Sequence, residues 1–237
     1  MSGHSHWAGI KQRKGVNDAK RGKIFTKLAK PITIAARDGG GNPNTNFKLR
    51  MAIDKAREFN MPKDNIDRAI KRGTGELKGA EISEVLYEAV GPGNILMLLM
   101  ATTDNKNRTV SEIKTALTKN GGKLGEVGSA MWNFEQVGSV VIEAEEKDLD
   151  EIELAAIDAG AKDTKIEEGS IIVFTQAKDL QKVQDSLSEK GLKVSEAGLI
   201  YVPKNTVEID PDMKIDYERL LEVLDDLDDV DEIYDNL

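Results

Sequence analysis

The first 25 residues bring aromatic, imidazole and cationic side chains together at close spacing. The stretch GHSHWAGIKQRKGVNDAKRGKIF, residues 3–25, holds six Lys or Arg and one acid, Asp18. His6 and Trp7 place two planar rings beside the cations that follow, a combination suited to stacking on bases and to binding phosphates. Trp7 could equally anchor this arm to a hydrophobic core. The lysines cannot serve as core anchors, so the segment predicts a contact with a polyanion.

Charge is unevenly distributed along the 237-residue chain, whose formal net charge is -9. Residues 1–80 contain 18 Lys and Arg against 7 Asp and Glu, a net charge of +11, and the remaining 157 residues carry a net charge of -20. Such asymmetry is typical of a polyanion-binding lobe on an acidic body. It is explained equally well by a helical lobe that docks its basic face internally against the acidic body. Charge alone leaves both interpretations open.

The sequence lacks the motifs of the common catalytic sites. It has no cysteine, which excludes disulfides, thiolate metal sites and cysteine nucleophiles, and its two histidines, His4 and His6, lie in the first six residues. The glycine-rich segments GTGELKG (73–79) and GGKLGEVGS (121–129) match neither the Walker A nor the dinucleotide-binding pattern. We therefore expect no enzyme activity and no cofactor. A hydrolase that relies on paired carboxylates is a distant alternative.

One adventitious metal site is predicted at the amino terminus. If Met1 is removed, the chain begins Ser2-Gly3-His4, and its amine, two amide nitrogens and imidazole can hold Cu(II) or Ni(II) in a square plane. We expect no functional use of this binding and no resident metal.

Helices must position the cations. A helix is predicted to follow Asn17, with apolar residues on one face and lysines in a sector of about 80° roughly opposite, pointing outward. Those lysines are Lys20, Lys23, Lys27 and Lys30. Pro31 lies inside this pattern, where it removes a backbone hydrogen bond and predicts a kink or a restart of the helix. Further helices are predicted over 45–59 and, from the segment MPKDNIDRAIKRG, over 61–73 with Gly73 as the stop.

Beyond the polar linker 74–81 the pattern changes to strands and helices. The segments VLYEAV and NILMLLMATT flank GPGN and predict a hairpin, followed by the helix RTVSEIKTALTKN. NILMLLMATT is shorter than the ~20 residues of a membrane span, so we expect a buried strand and a cytoplasmic protein that does not enter a membrane. From about residue 137 the order βαββαβ predicts a ferredoxin-like unit. The last 30 residues add a strand (TVEI), a helix and a final strand (EIYDNL).

The predicted fold class is α+β and multidomain: an N-terminal helical domain followed by two α+β domains, at least one of them ferredoxin-like. The predicted domains are a basic helical domain over 1–79, an α+β domain formed by 80–134 plus 205–237, and a ferredoxin-like domain over 135–204. The unit at 80–135 is incomplete by itself, so we expect the C-terminal segment to complete it and the third domain to be an insertion. An independent third unit made by the C-terminal segment is the alternative.

Several ordered segments resemble the YebC/PmpR family, which includes the mitochondrial translational activator of cytochrome oxidase. They are GHSHWAGIKQRK, DAKRGKIFTKLAK, AIDKAREFNMPKDNIDRAIKRGTGE, TDNKNRTVSEIK and NGGKLGEVGSAMWNFE. The resemblance implies three domains and a regulator that binds DNA, or a translation factor that acts at the ribosome and binds ribosomal RNA. The chain departs from the usual family pattern at His6, where a lysine is common, and at Pro31, since the matching helix normally lacks proline.

The candidate site is therefore a nucleic-acid-binding surface within residues 1–79, and the protein is expected to be a monomer. Its expected residues are His6, Trp7, Lys11, Arg13, Lys14, Lys20, Arg21, Lys23, Lys27, Lys30, Lys55, Arg57, Arg68, Lys71 and Arg72. No helix concentrates Asn, Gln or Arg as a recognition face, and lysines supply phosphate affinity rather than base discrimination. This favours ribosomal RNA on physical grounds, whereas the family's customary description favours DNA.

Overall fold

The computed structural model describes residues 18–78, 81–144, 149–167 and 169–237, with side chains from residue 22 onward. Seven helices in these residues are α1 (Asp18–Gly39), α2 (Phe47–Glu58), α3 (Lys63–Gly73), α4 (Lys106–Lys119), α5 (Leu149–Ala159), α6 (Leu180–Glu189) and α7 (Pro211–Asp225). Eight strands are β1 (Ser83–Val90), β2 (Leu96–Thr103), β3 (Lys123–Leu124), β4 (Phe134–Glu143), β5 (Asp163–Glu167), β6 (Ser170–Gln176), β7 (Val194–Pro203) and β8 (Val230–Asp235).

The described residues form two compact units. The first contains the described residues up to Phe134 together with Pro203–Leu237, and the second contains Glu135–Val202. The mixed α+β class predicted from the sequence is confirmed: N-terminal helices are followed by two four-stranded antiparallel sheets. No described helix is long and apolar enough to cross a membrane.

Helices α1, α2 and α3 pack around a shared apolar core. Its most buried members include Ile32, Leu49 and Ala56. Gly73, the last residue of α3, lies directly against the backbone carbonyl of Thr33 in α1, and a Cβ atom at this position would collide with it. The glycine predicted as a helix stop therefore also permits close contact between α1 and α3.

Asn46 joins the first two helices. Its side-chain Oδ1 accepts the Leu49 amide at 3.1 Å and caps the amino end of α2. Its Nδ2 donates to the carbonyl oxygens of Ala35 at 2.7 Å and Gly40 at 2.8 Å, at the carboxyl end of α1. One buried amide thereby satisfies backbone groups at the ends of both helices.

The first sheet has the strand order β3-β1-β2-β8. β1 and β2 form the predicted hairpin, with Tyr87 opposite Leu99, and β8 pairs antiparallel with β2. Helices α4 and α7 cover one face, where Leu117, Tyr217 and Leu224 contribute to the core. The predicted strand TVEI is wrong, because residues 206–209 adopt no regular structure.

The second unit has the order β4-α5-β5-β6-α6-β7 along the chain and β5-β6-β4-β7 across its sheet. This is the ferredoxin-like arrangement expected from the sequence. Val140, Ile152, Ile171 and Leu187 are among its fully buried residues. Both helices place apolar residues at helical spacing against the sheet.

Candidate nucleic-acid interface

Two lysines of α1 contact the carboxyl end of α7. Lys27 Nζ donates to the Asp225 carbonyl oxygen at 2.7 Å, and Lys23 Nζ lies 3.4 Å from the Asp226 carbonyl oxygen. Carbonyls in the last turn of a helix lack intrahelical partners and carry the negative end of the helix dipole. The lysines therefore cap α7, whose own last turn contains no basic residue.

Lys30 is bound more completely. Its ammonium donates to the Thr102 carbonyl at 2.7 Å, the Asp228 carbonyl at 2.8 Å and Asp229 Oδ1 at 2.9 Å. All three ammonium protons thus have acceptors within the chain. The prediction that this lysine face points outward is wrong for Lys27 and Lys30, because both are half-buried against the acidic segment that joins α7 to β8.

Asp229 is the centre of this contact. Its side chain is almost fully buried, and its Oδ2 accepts from Arg108 Nη2 at 2.7 Å, Thr109 Oγ1 at 2.8 Å and Thr103 Oγ1 at 3.0 Å. Burial by itself favours the neutral carboxyl group, but the hydrogen bonds from Arg108, Lys30 and Thr109 hold the pKa of Asp229 well below its usual range. Asp229 therefore remains an anion that anchors α1 to the first sheet.

A fourth predicted cation has an internal partner. Lys55 Nζ in α2 lies 3.1 Å from Glu232 Oε1 in β8. Lys23, Lys27, Lys30 and Lys55 thus all lie against the acidic segment 225–232, as the internal-docking interpretation of the charge asymmetry expects. A phosphate would have to compete with these contacts, and the nucleic-acid role of the four lysines stays a prediction. The signal for their partners is the run LDDLDDVDE at 224–232, a dense acidic stretch within the acidic body of the chain.

Helix α3 carries a different set of cations. Arg68, Lys71 and Arg72, here named the α3 cationic surface, are exposed and form no ion pair with any residue that the structure describes. Ile66 and Ala69 face the core, so helical spacing sends the three cations to solvent. Residues three and four apart on a helix are neighbours, so their charges are concentrated. Lys71 and Arg72 lie in the last turn of α3, where they also interact favourably with the negative end of the helix dipole, a structural role independent of any ligand.

A groove of about 1210 Å³ borders the α3 cationic surface. Arg68 and Arg72 lie on its α3 side together with Lys78, whereas Asp226 and Asp228 line it beyond α1. A polyanion is attracted by the first group and repelled by the second. Basic and acidic residues both line the groove, and Arg68 and Arg72 are lining cations that form no ion pair within the described residues.

Arg57 on α2 is only weakly engaged. Its guanidinium lies 3.1 Å from Asp54 Oδ1, and both side chains are more than half exposed. An exposed pair of this kind contributes only about 0.3–0.5 kcal/mol, so Arg57 can exchange Asp54 for another anion.

The remaining predicted residues cannot be placed. His6, Trp7, Lys11, Arg13 and Lys14 lie outside the described residues, as do the side chains of Lys20 and Arg21 and the adventitious metal site at Ser2, Gly3 and His4. Elsewhere, the described residues contain no group of three or more His, Asp or Glu that could hold a metal ion.

A basic three-helix bundle followed by two antiparallel sheets of the α+β type defines a distinct class of multidomain protein, and comparison with known proteins identifies it. Residues 5–76 match the model of the TACO1/YebC protein N-terminal domain, and residues 82–237 match that of the TACO1/YebC second and third domain. The chain therefore belongs to the TACO1/YebC family, which confirms the resemblance found in its sequence motifs.

Similar proteins cover the full chain. A protein from Herpetosiphon aurantiacus is 51% identical over 100% of this chain and 94% of its own length, and one from Dictyoglomus turgidum is 49% identical over 100% and 95%. Both are named "probable transcriptional regulatory protein". The fold is similar to the crystal structure of a conserved hypothetical protein from Aquifex aeolicus, with a TM-score of 0.89 and 42% identity over 98% of this chain and 96% of that one.

Proposed function

We propose that this protein is a non-enzymatic regulator of gene expression that binds nucleic acid, with phosphates held by the α3 cationic surface. The observation that carries the proposal is the contrast between two sets of cations. Acidic or carbonyl groups inside the chain bind Lys23, Lys27, Lys30 and Lys55, whereas Arg68, Lys71 and Arg72 have no such partner among the described residues. The names of the relatives support the regulatory role.

The chemistry of this surface fits phosphate binding. Arginine presents a planar fork that binds two phosphate oxygens at once, and lysine adds a point charge. Such contacts position a protein on a nucleic acid without reading its sequence. Arg57 and the exposed Lys78 can extend the contact along either side of α3.

The strongly perturbed carboxylates support a role without catalysis. Asp229 and Asp231, the described acids whose pKa values depart furthest from the usual range, both lie where α1 meets the first sheet. Asp229 is fully hydrogen-bonded to docking partners rather than open to a substrate. Their perturbation is explained by the contact that fixes the helical bundle, so a carboxylate-based hydrolase is not proposed.

The proposal is tested by removing the α3 charges. The triple variant Arg68→Gln/Lys71→Gln/Arg72→Gln should weaken binding and lower the slope of log K against log salt by about 2 to 3, since each lost phosphate contact accounts for about 0.9 on duplex DNA and about 0.7 on a single strand. The matched control Lys114→Gln/Lys119→Gln/Lys214→Gln removes the same charge from exposed positions on α4 and α7. Equal slopes for the two triple variants would refute the α3 surface as the site.

The kind of nucleic acid is decided by a second comparison. Wild-type protein is titrated with random duplex DNA and co-sedimented with ribosomes at increasing salt. A difference in affinity above about a thousandfold between duplex sequences would establish DNA as the target. Ribosome association that resists salt while duplex binding disappears would instead establish ribosomal RNA, the alternative that the lysine-rich composition of residues 1–80 favours.

A further inference from the structure

A glycine-rich loop in the first unit is held rigidly by one buried carboxylate. Glu88 in β1 is 7% exposed, and its Oε1 accepts the Gly128 amide at 2.6 Å. Its Oε2 accepts the amides of Ala130 at 2.6 Å and Met131 at 2.8 Å. Burial favours the neutral acid, but these three backbone hydrogen bonds outweigh it and lower the pKa of Glu88, so the anion persists at neutral pH.

The loop presents an exposed tryptophan. Trp132 is 60% exposed, although its Nε1 already donates to the Ser129 carbonyl oxygen at 3.0 Å. That bond fixes the indole within the loop and satisfies its only donor, so a partner of Trp132 would use the ring and not the N–H. Val127 at the tip is fully exposed, and a Cβ at Gly128 would meet no atom within 4 Å. The loop tip at Val127 and Gly128 is therefore open to solvent, as is most of the Trp132 side chain.

A lysine is held at the backbone of Trp132. Lys204 Nζ donates to the Trp132 carbonyl oxygen at 3.0 Å. Two further hydrogen bonds join the segment that contains Trp132 to the segment that contains Lys204. Asn133 Nδ2 donates to the Asn205 carbonyl at 2.8 Å, and the Lys204 amide donates to the Asn133 carbonyl at 2.7 Å. Lys204 thus brings a cation to the backbone of the residue that presents the exposed ring, and hydrogen bonds hold both segments in place.

The size of the apolar surface favours a base over a protein. Trp132 and Val127 are the only large hydrophobic residues of the described segment 121–134 that are exposed. A stable protein interface needs roughly 800 Å² from each partner, which two side chains do not supply. Stacking of one base needs a single ring face and gains from a neighbouring cation that meets the adjacent phosphate.

We propose that Trp132 is a stacking platform for an unpaired base of a nucleic acid, with Lys204 contacting the neighbouring phosphate. The inference rests on the proposed function and deepens it, since it assigns unpaired nucleotides as a part of the ligand. The α3 cationic surface then binds backbone phosphates, while the loop requires a base that is free to stack.

The test compares an RNA that has bases with one that lacks them. Binding of a single-stranded oligoadenylate of about twelve nucleotides should be roughly five- to one-hundred-fold weaker for Trp132→Ala than for wild type. An abasic strand of the same length should bind both proteins equally, and the salt slope should not change. Trp132→Phe should retain most of the affinity. Leu154→Ala, which removes another exposed apolar side chain at 67% exposure, is the matched control.

A fluorescence measurement makes the result independent of affinity. In a Trp7→Phe background Trp132 is the single tryptophan, and its emission should be quenched by oligoadenylate but not by the abasic strand. Equal affinities of wild type and Trp132→Ala for oligoadenylate, without quenching, would overturn the inference and leave the proposed function intact. Equal losses on both strands would also overturn it, because they would indicate a structural role. Failure of wild type to bind any nucleic acid would instead refute the proposed function.

Discussion

Two carboxylates that lie two residues apart, Asp229 and Asp231, have pKa values shifted in opposite directions. Asp229 receives hydrogen bonds from Lys30, Arg108 and Thr109 and has a lowered pKa. Asp231, two residues later, has both carboxylate oxygens buried, and its burial raises the pKa to about 7 against the opposing influence of Thr102, Lys30 and Lys27. The end of the α7–β8 connection thus holds one stabilising anion, Asp229, and the start of β8 holds one buried acid that is costly to ionise, Asp231.

The substitution Asp231→Asn is predicted to stabilise the protein at pH values above about 7. Because the folded-state pKa is raised, folded Asp231 binds a proton more tightly than the unfolded chain does, and wild-type stability falls as pH rises from about 4 to about 7. The variant should gain at least about 1 kcal/mol in the free energy of unfolding near pH 8, and the gain should vanish towards pH 4. Urea unfolding at several pH values measures this.

The control for that prediction is Asp228→Asn, since Asp228 is mostly exposed and lies 3.6 Å from Lys23. The substitution Asp228→Asn should change the free energy of unfolding only slightly at every pH. A gain for Asp231→Asn that does not depend on pH would contradict the assigned protonation.

At the scale of elements, helix α1 runs without interruption from Asp18 to Gly39 although Pro31 lies inside it. The restart predicted from the proline is therefore wrong. Tertiary contacts overcome the local preference. Ile32 and Ala36, which follow Pro31, are buried in the core, and Gly73 allows α3 to pack against Thr33. Lys27 and Lys30, in the turn before Pro31, bind the acidic segment 225–232. A helix fixed at so many points accommodates one missing backbone hydrogen bond.

The substitution Pro31→Ala should restore that hydrogen bond and raise the free energy of unfolding by about 1–3 kcal/mol. The comparison is Pro43→Ala in the loop between α1 and α2, where no helical bond is regained and the added freedom of the unfolded chain should slightly destabilise. Chemical denaturation of both variants provides the measurement. If Pro31→Ala proved no more stable than wild type, the helix would have to be distorted at this point.

Elements with strong local signals could be predicted from the sequence. Apolar spacing and terminal residues placed α2 over 45–59 and the structure has Phe47–Glu58, while the order βαββαβ predicted the ferredoxin-like unit. The partners of the α1 lysines could not be predicted, because Lys27 and Asp225 are 198 residues apart and no local pattern relates them. The strand predicted from TVEI is wrong for a related reason. β-propensity reflects how well a side chain fits against a neighbouring strand, and residues 206–209 form no β-ladder with any strand of the described residues.

At the scale of the whole molecule, the positive charge of residues 1–80 divides into a part that docks internally and a part that is exposed. Part of the +11 charge of residues 1–80 is neutralised against the acidic segment 225–232, which fixes the helical bundle to the first sheet. The charge of the α3 cationic surface is left over after this neutralisation, because its residues form no ion pair within the described part of the chain. Sequence alone could show the excess charge but could not divide it between docking and binding.

Lysine acetylation most directly tests whether the α1 lysines dock internally while the α3 cationic surface binds nucleic acid. The extent of acetylation is measured by mass spectrometry with and without saturating nucleic acid. Lys71 and Lys78 should react readily in the free protein and become protected by several-fold in the complex. Lys27 and Lys30 should react slowly in both states, because their ammonium groups already have acceptors in the chain. Lys114 and Lys214 should react equally in both. Unchanged labelling of Lys71 in the fully formed complex, or protection confined to Lys27 and Lys30, would contradict the proposed binding surface.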